Sequence, residues 1–82
     1  MNDSPFTPEE IEEASRYQIV IQWSEEDQLF LVSLPEFGGV RSHGRTIAEA
    51  AERGVELAAE WIDSLRTLGE PVPVPAALAV AS

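Results

Sequence analysis

The sequence predicts an α+β fold: a small antiparallel sheet of three to four strands packed on one long helix, with a short N-terminal helix in front. Three observations carry this. Two apolar runs of strand length, Tyr17–Trp23 and Leu29–Leu34, flank the polar link Ser24-Glu25-Glu26-Asp27-Gln28. A Pro- and Gly-bearing segment, Pro35-Glu36-Phe37-Gly38-Gly39, follows and suits no regular element. From Ile47 to Leu68 apolar residues then recur at helical spacing.

The chain begins with a loose lead at residues 1–6. Thr7-Pro8-Glu9-Glu10 then reads as a helix start. Thr7 caps, Pro8 suits the first helical position, and Glu10 completes a capping box. Glu9, Glu10, Glu12 and Glu13 crowd the positive end of the dipole. This helix runs to about Ser15 and is marginal alone in water.

In the first strand, Tyr17, Ile19, Ile21 and Trp23 share one face by the period of two, and Gln18, Val20 and Gln22 share the other. The second strand is apolar on both faces, with Phe30, Val32 and Leu34 on one and Leu29 and Leu31 on the other, which predicts a central strand covered on both sides. The polar link is a hairpin loop of four to five residues. A third strand is expected over Gly39–Ser42, and His43-Gly44-Arg45 turns the chain into the long helix.

Thr46 caps that helix, with Glu49 three residues on as a second capping box. Its buried stripe is read as Ile47, Ala50, Ala51, Gly54, Ala58, Trp61, Ile62 and Leu65, with Trp61 filling the far end and Trp23 also in the core. Gly69 and Pro71 stop it. About 22 residues at 1.5 Å each make a helix of ~33 Å, enough to span the sheet. Pro71, Pro73 and Pro75 keep the tail extended, with a short fourth strand expected around Val72. Residues 76–82 are small, apolar and uncharged, a tail that is loose or docked in an oligomer.

At 82 residues the chain is one domain with a thin core, for which self-association is a natural remedy. With no cysteine, disulfides and thiolate metal sites are excluded and a cytoplasmic setting is expected. Met1 to Pro5 does not read as a signal peptide, and no apolar run approaches the ~20 residues of a membrane helix, so neither is expected. Fifteen acidic residues against five arginines give a net charge of −10. Such a chain is not expected to grip nucleic acid directly; a basic protein partner fits better.

No catalytic constellation emerges. His43, the single histidine, sits in a Gly-flanked loop and reads as a turn residue. Glu25, Glu26 and Asp27 have oxygen ligands for a cation, but adjacent carboxylates in a hairpin loop read first as a solvated tip. Gly38-Gly39 lacks the spacing of a phosphate-binding loop. No metal, cofactor or catalytic residue is assigned. A metal-dependent nuclease built on Glu25, Glu26, Asp27 or Glu36 is the least favoured reading.

The ordered set Tyr17-x-Ile19-x-Ile21-x-Trp23, Ser24-Glu25-Glu26-Asp27, Leu34-Pro35-Glu36-Phe37, Gly39-Val40, His43-Gly44, Thr46 and Glu49-Ala50 resembles the HicB-like antitoxin family. Trp61-Ile62 and the Gly69-to-Pro73 exit extend the likeness over residues 17–75. The resemblance implies a partial RNase H-like frame without that enzyme's metal-binding carboxylates. It implies a non-enzymatic protein that neutralises a small basic mRNA-cleaving toxin by covering its active site. It also implies a homo-oligomer, dimer or tetramer. An orphan oligomeric scaffold without a toxin is the alternative. Partner contact is expected at Glu25, Glu26, Asp27, Glu36 and Phe37. Gly38 stands where the family usually has proline, which predicts a looser loop. Many relatives carry a C-terminal DNA-binding module; residues 76–82 are too short for one, so direct operator binding is not expected.

Overall fold

The computed structural model describes residues 5–75, so the expected tail at 76–82 and most of the expected lead lie outside the described residues. The element order is α1 (Pro8–Ala14), β1 (Val20–Ser24), β2 (Leu29–Leu34), a 3-10 turn at Pro35–Phe37, β3 (Val40–Gly44) and α2 (Ile47–Leu68). The sheet has three strands in the order β1-β2-β3, each antiparallel to its neighbour. No fourth strand forms among the described residues: the segment after Gly69 runs without regular structure. Proline at every second position there withholds the N–H groups a ladder needs.

Both helix starts follow from their caps. At α1 the Glu10 backbone N–H donates to Thr7 Oγ1 at 3.2 Å, and the Thr7 N–H donates to Glu10 Oε1 at 2.8 Å, a complete capping box. At α2 the Glu49 N–H donates to Thr46 Oγ1 at 3.0 Å. The Glu49 carboxylate, however, accepts from the Arg45 N–H at 2.6 Å rather than from Thr46, so the expected second box is displaced by one residue. Gly69 ends α2 in the left-handed region, at φ 73°.

β1 starts three residues later than the alternation suggests. Tyr17 still belongs to the turn that leaves α1, its N–H donating to Ala14 O at 3.2 Å. Its ring drops into the core against Phe37, with centroids 4.8 Å apart, and its hydroxyl donates to Pro73 O at 2.5 Å. Burial, helped by the nearby Glu13 and Glu36 charges, pushes the Tyr17 phenol above its ordinary pKa, with Arg66 pulling the other way. Phe6, expected in the loose lead, packs against this same cluster.

α2 lies across the face that carries Val32 and Leu34, both fully buried. Gly54 is needed there: a Cβ would sit 2.8 Å from Ile19 Cγ2 and 3.0 Å from Val32 Cγ1. The tightest approach is at Gly44, where a Cβ would lie 2.5 Å from the Ala50 backbone nitrogen. The buried side of α2 is Ala50, Gly54, Ala58, Ala59 and Ile62. This corrects the expected stripe at both ends: Ile47 is 61% exposed and Trp61 39% exposed. Ile62, not Trp61, fills the core beneath Ala58 and Ala59. Trp61 is three residues from Ala58, about 60° off the buried direction, and stands on the flank.

β2 is central, as expected, but only one of its faces is covered. α1 packs on α2, and α2 packs on the sheet, so both helices sit on one side. Leu29, Leu31 and Ser33 face away from them, half-buried among their strand neighbours.

Candidate functional site

The β1–β2 connection is a four-residue loop, Glu25–Gln28, closed by the Ser24↔Leu29 pair. Its closing bonds are local. The Gln28 N–H donates to Ser24 O at 2.8 Å, and the Asp27 N–H donates to Ser24 Oγ at 3.1 Å. The Ser24 hydroxyl also reaches Asp27 Oδ2 at 3.2 Å. Gln28 completes the turn at φ 56°, a left-handed conformation uncommon outside glycine and asparagine. Its side-chain amide donates to Glu25 O at 2.8 Å and Glu25 Oε2 at 3.2 Å. Glu25 Oε1 in turn accepts from Trp23 Nε1 at 3.0 Å. Glu26 stands exposed in the same loop, with no hydrogen bond or ion pair among the described residues.

Trp23 is the residue that sequence reasoning misplaced. It shares the helix-side face with Phe30, its cross-strand partner, and the rings meet at 5.1 Å and 66°. Yet it is 48% exposed. α2 packs on β3 and β2 and reaches β1 least, so the end of β1 is left without a lid. The alternation does assign Trp23 to the correct face; the lean of α2 across the sheet, which decides its exposure, has no signal in the strand itself.

The five expected contact residues do not form one patch. Glu25, Glu26 and Asp27 lie together at the hairpin tip. Glu36 and Phe37 follow the opposite end of β2, about 20 Å away along a six-residue strand. Phe37 is buried against Tyr17, and Glu36 Oε1 accepts from the Gln18 N–H at 3.0 Å. These two residues shape the fold where they stand. Gly38 and Gly39 follow at φ 76° and 79°. Proline, fixed near −65°, has no access to that conformation, so the glycine at 38 belongs to a defined turn in which the Gly38 N–H donates to Pro35 O at 3.2 Å.

Charge separates sharply along the chain. From Tyr17 through Val40 there is no lysine, arginine or histidine, while Glu25, Glu26, Asp27 and Glu36 all fall there. Arg41, His43 and Arg45 come immediately after, on and just beyond β3. Arg41 pairs with Ser33 and His43 with Leu31, on the side away from the helices. With Val20, Gln22, Ser24 and Leu29 they make a sheet face that carries no carboxylate. Among the described residues one ion pair forms, Arg66 Nη2 to Glu13 Oε2 at 2.6 Å, tying α1 to α2. That contact also holds the Arg66 guanidinium above its usual pKa.

No group of three or more His, Asp or Glu among the described residues is placed to hold a metal ion, and none of the helices there is long and apolar enough to cross a membrane. A family model described as HicB_like antitoxin of bacterial toxin-antitoxin system matches residues 17–82. No curated protein and no solved structure matches the chain.

Proposed function

Because this chain belongs to the HicB-like antitoxin family of bacterial toxin–antitoxin systems, we propose that it neutralises a small basic mRNA-cleaving toxin by covering its active site, with the hairpin tip as the contact. One observation carries the assignment to the tip: the segment from Tyr17 to Val40 has only negative formal charges, and three of its four sit side by side in an exposed four-residue loop. A toxin that grips RNA carries a basic surface, and complementary fields speed encounter and select the partner. We assign the protein a binding role without catalysis, in the cytoplasm. The three-stranded meander backed by α2 is consistent with a partial RNase H-like frame. Glu36 and Phe37 contribute by holding the far end of β2 in shape, so that the tip is presented on a fixed hairpin.

The test is co-expression with a small basic ribonuclease encoded beside the gene. Co-purification and loss of RNA cleavage support the reading; a toxin that neither binds nor is inhibited ends it. We also propose a homo-oligomer that buries the uncovered sheet face. Leu29 and Leu31 are half-buried there, and the face is free of carboxylates in a chain of net charge −10, so two copies meet on it with least repulsion. Leu31→Glu is expected to lower the mass seen by sedimentation; an unchanged mass removes that interface.

A further inference from the structure

We infer that Trp23 is a binding platform for a single arginine or lysine side chain of the basic partner. The inference rests on the reading above and names the point at which that partner is anchored. Three observations on the indole converge. It is 48% exposed at the end of an edge strand that α2 leaves uncovered. Its orientation is fixed twice, by Phe30 at 5.1 Å and by the Nε1 bond to Glu25 at 3.0 Å. Finally, its one polar group is already spent on that bond, so the ring has no donor left for an acceptor from outside.

What remains open on such a ring is its π surface, and a π surface carries negative potential that attracts cations. On its own hairpin the neighbouring charges are negative: Glu25, Glu26 and Asp27 follow within four residues, while Arg45 lies across β2, next to the Gly44 that pairs with Phe30. A guanidinium laid on the indole would place its edge donors toward the loop carboxylates, a stacked and hydrogen-bonded arrangement for which arginine is better shaped than lysine. An acidic or apolar occupant gains nothing from this rim. The arrangement is also pre-ordered: Gln28 holds Glu25, and Glu25 holds Trp23, so little side-chain freedom is lost on binding.

The experiment uses the full chain carrying Trp61→Phe, so that Trp23 is the sole tryptophan and can be excited selectively. It is titrated at low ionic strength with three peptides of equal length, alternating glycine with arginine, lysine or citrulline. The arginine peptide is expected to change Trp23 emission and shift its indole N–H resonance saturably, the lysine peptide more weakly, and the citrulline peptide not at all. Trp23→Leu, followed by calorimetry, is expected to weaken arginine-peptide binding about tenfold, with Trp23→Phe in between. Equal affinity for Trp23→Leu and the parent, or an equal response to citrulline, overturns the platform. The same variants assayed with the toxin separate the two readings. A toxin that binds Trp23→Leu as tightly as the parent removes the platform alone. A toxin that never binds, beside a positive arginine titration, removes the functional reading alone.

Discussion

The tip of the β1–β2 hairpin and strand β3 occupy neighbouring parts of one small sheet, yet they are built on opposite terms. β3 is clamped. β2 pairs with it on one side, and α2 approaches so closely that Gly44 has no room for a methyl group beside the Ala50 backbone. Its one formal charge, Arg41, is positive and lies on the open face. The hairpin tip is unclamped, negative, and held by side-chain bonds among Ser24, Glu25, Asp27 and Gln28. The contrast separates two duties in a short chain. Steric closeness at β3 and α2 secures the fold. At the tip, polar bonds among exposed side chains arrange a surface.

That contrast can be broken or sharpened by measurement. The largest effect is expected inside the clamp. Leu34→Ala removes a fully buried side chain and should cost about 2–5 kcal/mol in urea unfolding. A cost under 1 kcal/mol would mean that this core is not where the fold is secured. Gly44→Ala comes next, at about 3 kcal/mol, because the atoms it strikes are backbone and a whole strand or helix must shift. Thermal melting checks it, and an unchanged midpoint would refute the close approach. Tyr17→Phe should cost about 1 kcal/mol through the lost bond to Pro73.

The Tyr17 substitution has a second signature. Burial raises the phenol pKa in the folded chain, while the unfolded chain ionises near 10. Above that pH the folded state holds the proton more tightly, so stability falls as pH rises past about 10. The phenylalanine variant should show a shallower fall; an identical slope would assign the alkaline loss to other groups. The smallest change in stability is expected at the tip. Charge reversal at Glu26, the loop carboxylate with no hydrogen bond among the described residues, should stay within about 0.5 kcal/mol of the parent. The same variant should slow toxin association more at low salt than at high, since exposed charges are screened over about 10 Å at 0.1 M. Equal slowing at both would remove the electrostatic role.

The sequence made the clamp more legible than the tip. The bounds of α2 follow from Thr46, Gly69 and Pro71, all local signals, and the structure places them at Ile47 and Leu68 as expected. α1 follows equally from short-range chemistry, in its Thr7–Glu10 capping box. What the sequence could not show is how α2 leans across the sheet. That lean exposes Trp23, which the period-two pattern puts on the core side; Leu29 and Leu31 lack a second layer for a different reason, since both helices pack on the other face of the sheet. The burial of Phe37 was not legible for another reason: a Pro-x-aromatic-Gly-Gly segment announces a turn, but the direction in which the turn throws its aromatic depends on Tyr17, twenty residues earlier. The charge partition between Tyr17–Val40 and Arg41–Arg45 was present in the sequence, yet its meaning needed the strand register to put the arginine and histidine on one face.

The bond from Tyr17 to Pro73 joins residues 56 apart in sequence, whereas every strand pairs with its immediate successor. Meander and helix close through short loops and assemble quickly; the Pro73 contact must wait for a much longer one. It is therefore expected to form late and to open early. In hydrogen exchange the amides of β2 and α2 should report the global unfolding free energy, while the Gln18 amide, held by the Glu36 carboxylate, is expected to exchange through a smaller, separate opening. Tyr17 and Phe37 lie beneath the Pro73 contact, so a local opening there is expected to expose the aromatic end of the core while the hairpin and its acidic tip stay folded.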